Sequence, residues 1–246
     1  ITITGQGNND APGTAGQFGV QIWSQAVVES TGTAKVTITG TAGSEGPGID
    51  VEDSAIVRST GSGDLLLVGM GSTLDDDGHE NYGILIQSTV TTTGSGNLTL
   101  RGIGGGKAGG DSDSGIRIGG YLTATATVSS TSSGNITLQG KAGVGSTNTF
   151  GIDVRPPDGG GSGGITSSGT GTVTLAADSI KLRTGATFNA GSNIVTLRPA
   201  TTSDIATDDN KAIFRAEPGR KQIVTVTPAN VQVGDIFTIK IDGQTA

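Results

Sequence analysis

The 246-residue chain has no cysteine, one histidine and few aromatics, which make up 3% of its positions. Without cysteine there is no disulfide framework, although export remains open because many bacterial surface proteins carry none. Basic residues are outnumbered, 15 Lys and Arg against 22 Asp and Glu, for a net charge of −7. A nucleic-acid surface is therefore not expected, since phosphate binding needs a basic stripe. No apolar run approaches the roughly 18 residues of a membrane helix, so membrane insertion is not expected either. The chain opens on Ile1 with no visible signal peptide, and reads as a processed or excised piece of something longer.

What is abundant is glycine, 44 residues, against a usual share of roughly 7%. Together with 7 prolines it approaches the composition of a disordered chain. Periodicity argues for order. Three columns recur in fixed sequence. The first is an alternating strand ending in glycine: Ile1-Thr-Ile-Thr-Gly5, Val36-Thr-Ile-Thr-Gly40, Leu65-Leu-Leu-Val-Gly69, Leu98-Thr-Leu-Arg-Gly102 and Ile136-Thr-Leu-Gln-Gly140. The second is a glycine followed by a short strand: Gly19-Val-Gln-Ile22, Gly48-Ile-Asp-Val51, Gly83-Ile-Leu-Ile86, Gly115-Ile-Arg-Ile118 and Gly151-Ile-Asp-Val154. The third is an apolar residue, then Ser/Thr, then a Gly-rich turn, as in Ile56 to Asp64, Val90 to Asn97, Val128 to Asn135 and Ile165 to Thr172. A degenerate sixth copy runs through Val173-Thr-Leu175, Ser179-Ile-Lys-Leu182 and Phe188 to Asn193.

Each strand has period two and is rich in β-branched residues, and no segment carries a helical apolar stripe. One repeat cannot bury its three apolar faces alone, but stacked copies can. The expected fold is all-β: a right-handed parallel β-helix (β-solenoid) of about six three-stranded coils, with repeats near 1–34, 35–64, 65–97, 98–135, 136–172 and 173–200. Ile3, Ile38, Leu67, Leu100, Leu138 and Leu175 should form one internal ladder, and Val20, Ile49, Ile84, Ile116 and Ile152 another. The glycines of "GSGN" are expected at positive φ in a recurring corner, with Asp64, Asn97, Asn135 and Asn193 bonding the backbone there. Residues 201–246 read as a polar linker plus C-terminal β strands. Gln222–Pro228 and Asp235–Gly243 look like a longer antiparallel pair, either a β-hairpin cap or the start of a further β module.

The repeated G-N-[LI]-T-L-x-G, G-I-x-[IV] and T-T-T-G-S-G-N pattern resembles filamentous-haemagglutinin-like bacterial surface proteins, including two-partner secreted adhesins and autotransporter passengers. "VTLAADSIKL" (173–182) followed by "NIVTLRP" (193–199) is similar to the ends of repeat blocks in those large exoproteins. The resemblance covers roughly residues 1–200. It implies a secreted or cell-surface location and a repeat architecture, and it transfers no site residues, because the shared motif is structural.

Several chemical motifs weaken on inspection. "GGGKAG" (Gly104 to Gly109) has the loose dinucleotide-loop spacing, but no helical pattern follows to hold a pyrophosphate, and Lys107 precedes Ala108 rather than the Ser/Thr of a P-loop. The acids Asp10, Glu45, Asp75, Asp76, Asp77, Glu80, Asp111 and Asp113 collect on one loop side. Asp75-Asp76-Asp77 or Asp111/Asp113 suit calcium chemically, yet fit no EF-hand spacing, and the expectation is a solvated acidic loop. His79 has like-charged neighbours and no nucleophile motif. The sequons at Asn97 and Asn135 fall at equivalent turns, which explains them without a sugar. The outward row Gln21, Asp50, Leu85, Arg117, Asp153 and Lys181 is mixed, and Trp23, Tyr82 and Tyr121 share no register position. The Thr123–Thr127 run suits an ice-binding face, but the loops are too uneven for one.

No catalytic, cofactor-binding or metal residues are therefore assigned. The expectation is a non-enzymatic structural or adhesive module of a large secreted bacterial surface protein. Its partner would be a host or neighbouring-cell glycan or protein. The alternatives are a carbohydrate-active β-helix enzyme (a polysaccharide lyase or tailspike-like hydrolase), which also needs clustered acids or bases, and a subunit self-assembling head to tail.

Overall fold

In the computed structural model the chain winds through repeating three-strand coils. The structure describes residues 1–9, 16–74, 80–107, 110, 112–120, 125–145, 147–156, 158 and 160–200, with two further strands at Ile213–Ala216 and Thr225–Val226. The first coil comprises β1 (Thr2–Gln6), β2 (Val20–Ile22) and β3 (Val27–Ser30). The second comprises β4 (Val36–Thr41), β5 (Ile49–Val51) and β6 (Ile56–Ser59), and the third β7 (Leu65–Met70), β8 (Ile84–Ile86) and β9 (Thr89–Thr92). Then come β10 (Leu98–Ile103), β11 (Ile116–Ile118) and β12 (Ala126–Ser130), followed by β13 (Ile136–Lys141), β14 (Ile152–Val154) and β15 (Gly163–Ser167). Next are β16 (Val173–Ala177), β17 (Ser179–Leu182) and β18 (Thr187–Asn189), and lastly β19 (Val195–Arg198), β20 (Ile213–Ala216) and β21 (Thr225–Val226).

Every third strand pairs in parallel as far as β20, and β21 then adds to β19, giving three walls of eight, seven and six strands. The molecule is a parallel β-solenoid repeat protein, and no helix occurs among the described residues. Both expected ladders are present: Ile3, Ile38, Leu67, Leu100, Leu138 and Leu175 stack in register in the first wall. Val20, Ile49, Ile84, Ile116 and Ile152 do so in the second. From the second coil to Ile152 these side chains are fully buried, as period-two strands with one inward face require. The third wall is offset by one residue from the sequence reading at its second coil. Val57, not Ile56, lies opposite Val28 and Val90, and Val57 is the buried one.

One expectation about the corners is corrected and another is sharpened. Gly61, Gly63, Gly94 and Gly96 are not among the positive-φ residues. They are glycine because successive turns touch backbone to backbone: a Cβ on Gly94 would lie 1.9 Å from the Gly61 carbonyl oxygen, and one on Gly96 2.1 Å from that of Gly63. The left-handed pairs fall instead between the second and third walls, at Ser24 and Gln25 and again at Asp53 and Ser54, positions the sequence does not mark with glycine. The Asp/Asn column bonds the backbone as expected at Asp64, Asn97 and Asn135, but across coils. Asp64 Oδ1 accepts from Asn97 N (2.8 Å), Asn97 Oδ1 from Asn135 N (3.1 Å), and Asn135 Oδ1 from Thr172 N (2.8 Å). Each side chain thus grips the next coil's main chain rather than its own, and Thr172, not Asn193, takes the fourth position.

Loops leave the wall through a narrow neck. A Cβ on Gly40, Gly69, Gly102 or Gly140 would sit 2.0 Å from the carbonyl oxygen of Gly48, Gly83, Gly115 or Gly151 respectively. At the far end β20 and β21 add in parallel to β17 and β19. Apart from Thr225–Val226, the expected antiparallel pair over 222–228 and 235–243 lies outside the described residues.

Candidate functional site

Of the loop-side acids, Asp10, Asp75, Asp76, Asp77 and Asp111 lie outside the described residues, as do His79 and Tyr121. Asp113 is not solvated as expected but fully buried. Its Oδ1 accepts from the backbone N and the Nδ2 of Asn81, both at 3.2 Å, while Asn81 Oδ1 accepts from Gly46 N at 3.1 Å. Ser72 Oγ donates to the Ser44 carbonyl at 2.8 Å, and Phe150 N donates to Ser114 Oγ at 3.1 Å. The loop bases therefore stack on one another, with Ser44, Ser72, Asn81, Asp113 and Ser114 all buried. Buried polar groups are costly to leave unbonded, and these bond to one another across coils. Among the described residues no group of three or more His, Asp or Glu side chains is placed to hold a metal ion. Among the described residues the next element after Lys107 is β11, and none of them forms the helix N-terminus that a dinucleotide loop needs.

The outward row of the second wall is in register as expected, but it is covered. Asp50, Leu85, Arg117 and Asp153 are each at most 4% exposed. Arg117 lies 4.9 Å from the centroid of the Tyr82 ring, donates Nη1 to the Tyr82 hydroxyl, and donates Nε to the Gly119 carbonyl at 3.1 Å. Asp153 accepts from Arg183 Nε at 2.9 Å, and Arg183 in turn reaches the Phe150 ring at 5.8 Å. The tyrosine missed as a site residue thus backs a buried cation. Its signal is positional: Tyr82 immediately precedes a second-column glycine, as Phe18 and Phe150 do.

At the other end of this row Asp50 is beside Glu52. The Glu52 carboxylate accepts from Gln21 Nε2 at 2.6 Å and from Gln87 Nε2 at 3.5 Å. Burial first, then the charge of Glu52, holds the Asp50 carboxyl well above the usual carboxylate range; hydrogen bonding to Gln87 acts weakly the other way. The pair's signal in the sequence is "GIDVE" (Gly48–Glu52), two acids two residues apart, Asp50 on β5 and Glu52 directly after it.

The outer face of the first wall is different. One row reads Thr2, Thr37, Leu66, Thr99, Thr137 and Thr174 in register, and the next reads Thr4, Thr39, Val68, Arg101, Gln139 and Ala176. The third coil alone turns three apolar side chains outward: Leu66, Val68 and Met70, the last 44% exposed. Beside them lie depressions of about 290, 250 and 190 Å³. The first two meet at Arg101, and the last two at Thr41 and Met70.

Comparison of the chain with protein-family models, with curated proteins and with solved structures found no match in any of the three.

Proposed function

We propose that the chain is a rigid segment of a large secreted bacterial surface protein of the filamentous-haemagglutinin or autotransporter type, serving as a stalk, fibre or envelope component that makes contacts with a glycan or protein of a host or neighbouring cell. The observation that carries this reading is the continuity of the inward ladder, which passes from Ile3 through Leu175 to Leu197 without a polar interruption. An unbroken core of this kind supplies length and stiffness, and the resemblance of the repeat motifs supplies the location. Purified chain is expected to resist proteolysis across residues 36–182 and to attach to cells when immobilised on beads. Rapid cleavage within the coils, or beads that attach no better than bare ones, would sink the reading.

A second reading, a carbohydrate-active enzyme, draws support from the Asp50–Glu52 pair on the second wall. Release of sugar products by the chain, abolished in Asp50→Asn, would favour it over the structural one.

A further inference from the structure

We propose that the outer face of the first wall binds a linear acidic polysaccharide in a groove along β7, with Leu66, Val68 and Met70 as its floor and Arg101 and Lys35 as the contacts for the polymer's carboxylates. The proposal rests on the adhesive reading above and names its ligand class.

The groove follows from the three contiguous depressions, which lie in line beside the six residues of β7. At roughly 3.3 Å per residue this is about 20 Å of extended surface, suited to a polymer rather than a compact ligand. Its floor is apolar where the same positions one coil earlier are Thr37, Thr39 and Thr41. Three successive apolar positions on a face whose other outward residues are mostly threonine and basic or amide side chains make a continuous strip, extended by Ile103 on the next coil, and such a strip marks a contact surface.

Charge chooses the ligand's sign. No outward position of β1, β4, β7, β10, β13, β16 or β19 is acidic, whereas Arg101, Lys141 and Arg198 are basic, in a chain whose net charge is −7. Lys35 and Arg101 both line the first depression, and neither has a carboxylate of the described residues within ion-pair distance. Asp64 lines it too, but its Oδ1 is engaged by Asn97 N at 2.8 Å and Asn97 Nδ2 at 3.1 Å. Arg101 is oriented by Nε donating to Gln139 Oε1 at 2.6 Å, and among the described residues its terminal nitrogens make no hydrogen bond. A fixed guanidinium with free terminal nitrogens matches a carboxylate.

The walls favour a sugar over a peptide. Thr39, Thr41 and Thr99 offer hydroxyls that both donate and accept, and the alkyl floor suits the C–H faces of sugar rings. An extended peptide would bring its unpaired main chain to a sheet whose own amides and carbonyls are already paired within the ladder, so strand addition is closed to it here. With no aromatic platform in the groove, each contact is weak, and avidity along a repeating polymer supplies the affinity.

The test is retardation of the full chain in gels containing polygalacturonate or alginate, compared with neutral dextran and with poly-glutamate. Retardation by the polyuronates and not by dextran or poly-glutamate is expected. Arg101→Gln should weaken it about tenfold, the loss of one charge-assisted contact. The triple variant Leu66→Thr, Val68→Thr, Met70→Thr should abolish it while melting as a folded protein, since it copies the second coil. Arg58→Gln, on the third wall, should behave as the unsubstituted chain does. Absence of retardation by either polyuronate, equal retardation of all variants, or equal retardation by poly-glutamate would overturn the assignment. Bead attachment to cells without polyuronate binding would overturn this groove and leave the adhesive reading intact.

Discussion

Thr92 stands in a column where every other coil from the first to the fifth carries serine: Ser30, Ser59, Ser130 and Ser167 are its in-register neighbours, all buried. Each serine hydroxyl donates to the carbonyl four residues on, at 2.6, 2.6, 2.7 and 3.4 Å in chain order. The Thr92 hydroxyl has no partner, because β-branching narrows its choice of rotamer. Ser130→Ala should therefore cost about 1–2 kcal/mol by orphaning the Gly134 carbonyl, whereas Thr92→Val, which removes an unmet donor at constant shape, should be neutral or add about 1 kcal/mol. Urea unfolding midpoints compare the two directly. Asp50 makes a second prediction at this scale. Its folded pKa is raised, so the stability it contributes is present below the ordinary carboxylate value near 4 and is lost as pH climbs through the folded one. Facing it are Glu52 and Glu80, with Gln21 and Gln87 on the Glu52 carboxylate, and Leu85 beside it on β8. Unfolding midpoints measured from pH 4 upward should fall more steeply for the natural chain than for Asp50→Asn. Equal slopes would show that Asp50 is not the group titrating.

Corners and walls behave as separate elements, and the sequence announced them unequally. The walls were readable because a two-residue alternation and a glycine stop repeat in every coil, and Ile38 above Leu67 above Leu100 needs nothing more than that pattern. The corners were misread because glycine has two uses, and composition does not distinguish them. In "GSG" the glycine serves close approach of one turn to the next. Gly94→Ala, whose methyl would fall 1.9 Å from the Gly61 oxygen, should cost at least the roughly 1–3 kcal/mol of an overpacked core. Gly32→Ala, with nothing within 4 Å, should change the midpoint little. The positive-φ turn lies elsewhere. Ala55 N bonds the Glu52 carbonyl at 3.0 Å across Asp53 and Ser54, and Ala186 N bonds the Arg183 carbonyl at 3.0 Å across Thr184 and Gly185. Ser54 at φ 64° occupies the position that Gly185 fills at φ 83° in the sixth coil. Ser54→Gly should raise stability by about 1 kcal/mol, the cost of left-handed geometry for an L side chain. The Asp50–Glu52 pair went unread, because Asp50 stood in the sequence only as one member of a mixed outward row, and its burial comes from stacked neighbours that a single strand does not display.

For the molecule as a whole, the three walls give a core in which each coil depends on the coils on either side. β1, β2 and β3 have one strand neighbour each, while β10 and β13 have two, and the burial of β1 is correspondingly shallow, with Ile3 only half-buried where Ile38 is fully so. Stability in a nearest-neighbour array falls toward an unpartnered end. Amide hydrogen exchange should therefore be fastest in Thr2–Gln6 and slowest in Leu98–Ile103 and Ile136–Lys141. Uniform protection along the array would contradict this, and would indicate an all-or-none unit instead. The fold class could be read without a structure because every coil repeats the same argument. The covered second wall could not, because the side chains lying over it, Tyr82 against Arg117 and Arg183 against Asp153, do not recur from coil to coil.

The glycine necks separate two tasks that most proteins must solve together. Each excursion from the first wall leaves and returns at a pair of residues in main-chain contact, whatever its length, so the frame does not register what is carried beyond the stacked base. Foreign peptides spliced between such a pair, outward of Ser44 or Ser72, would hang from a scaffold that has no stake in their sequence, making this chain a ready chassis for grafting.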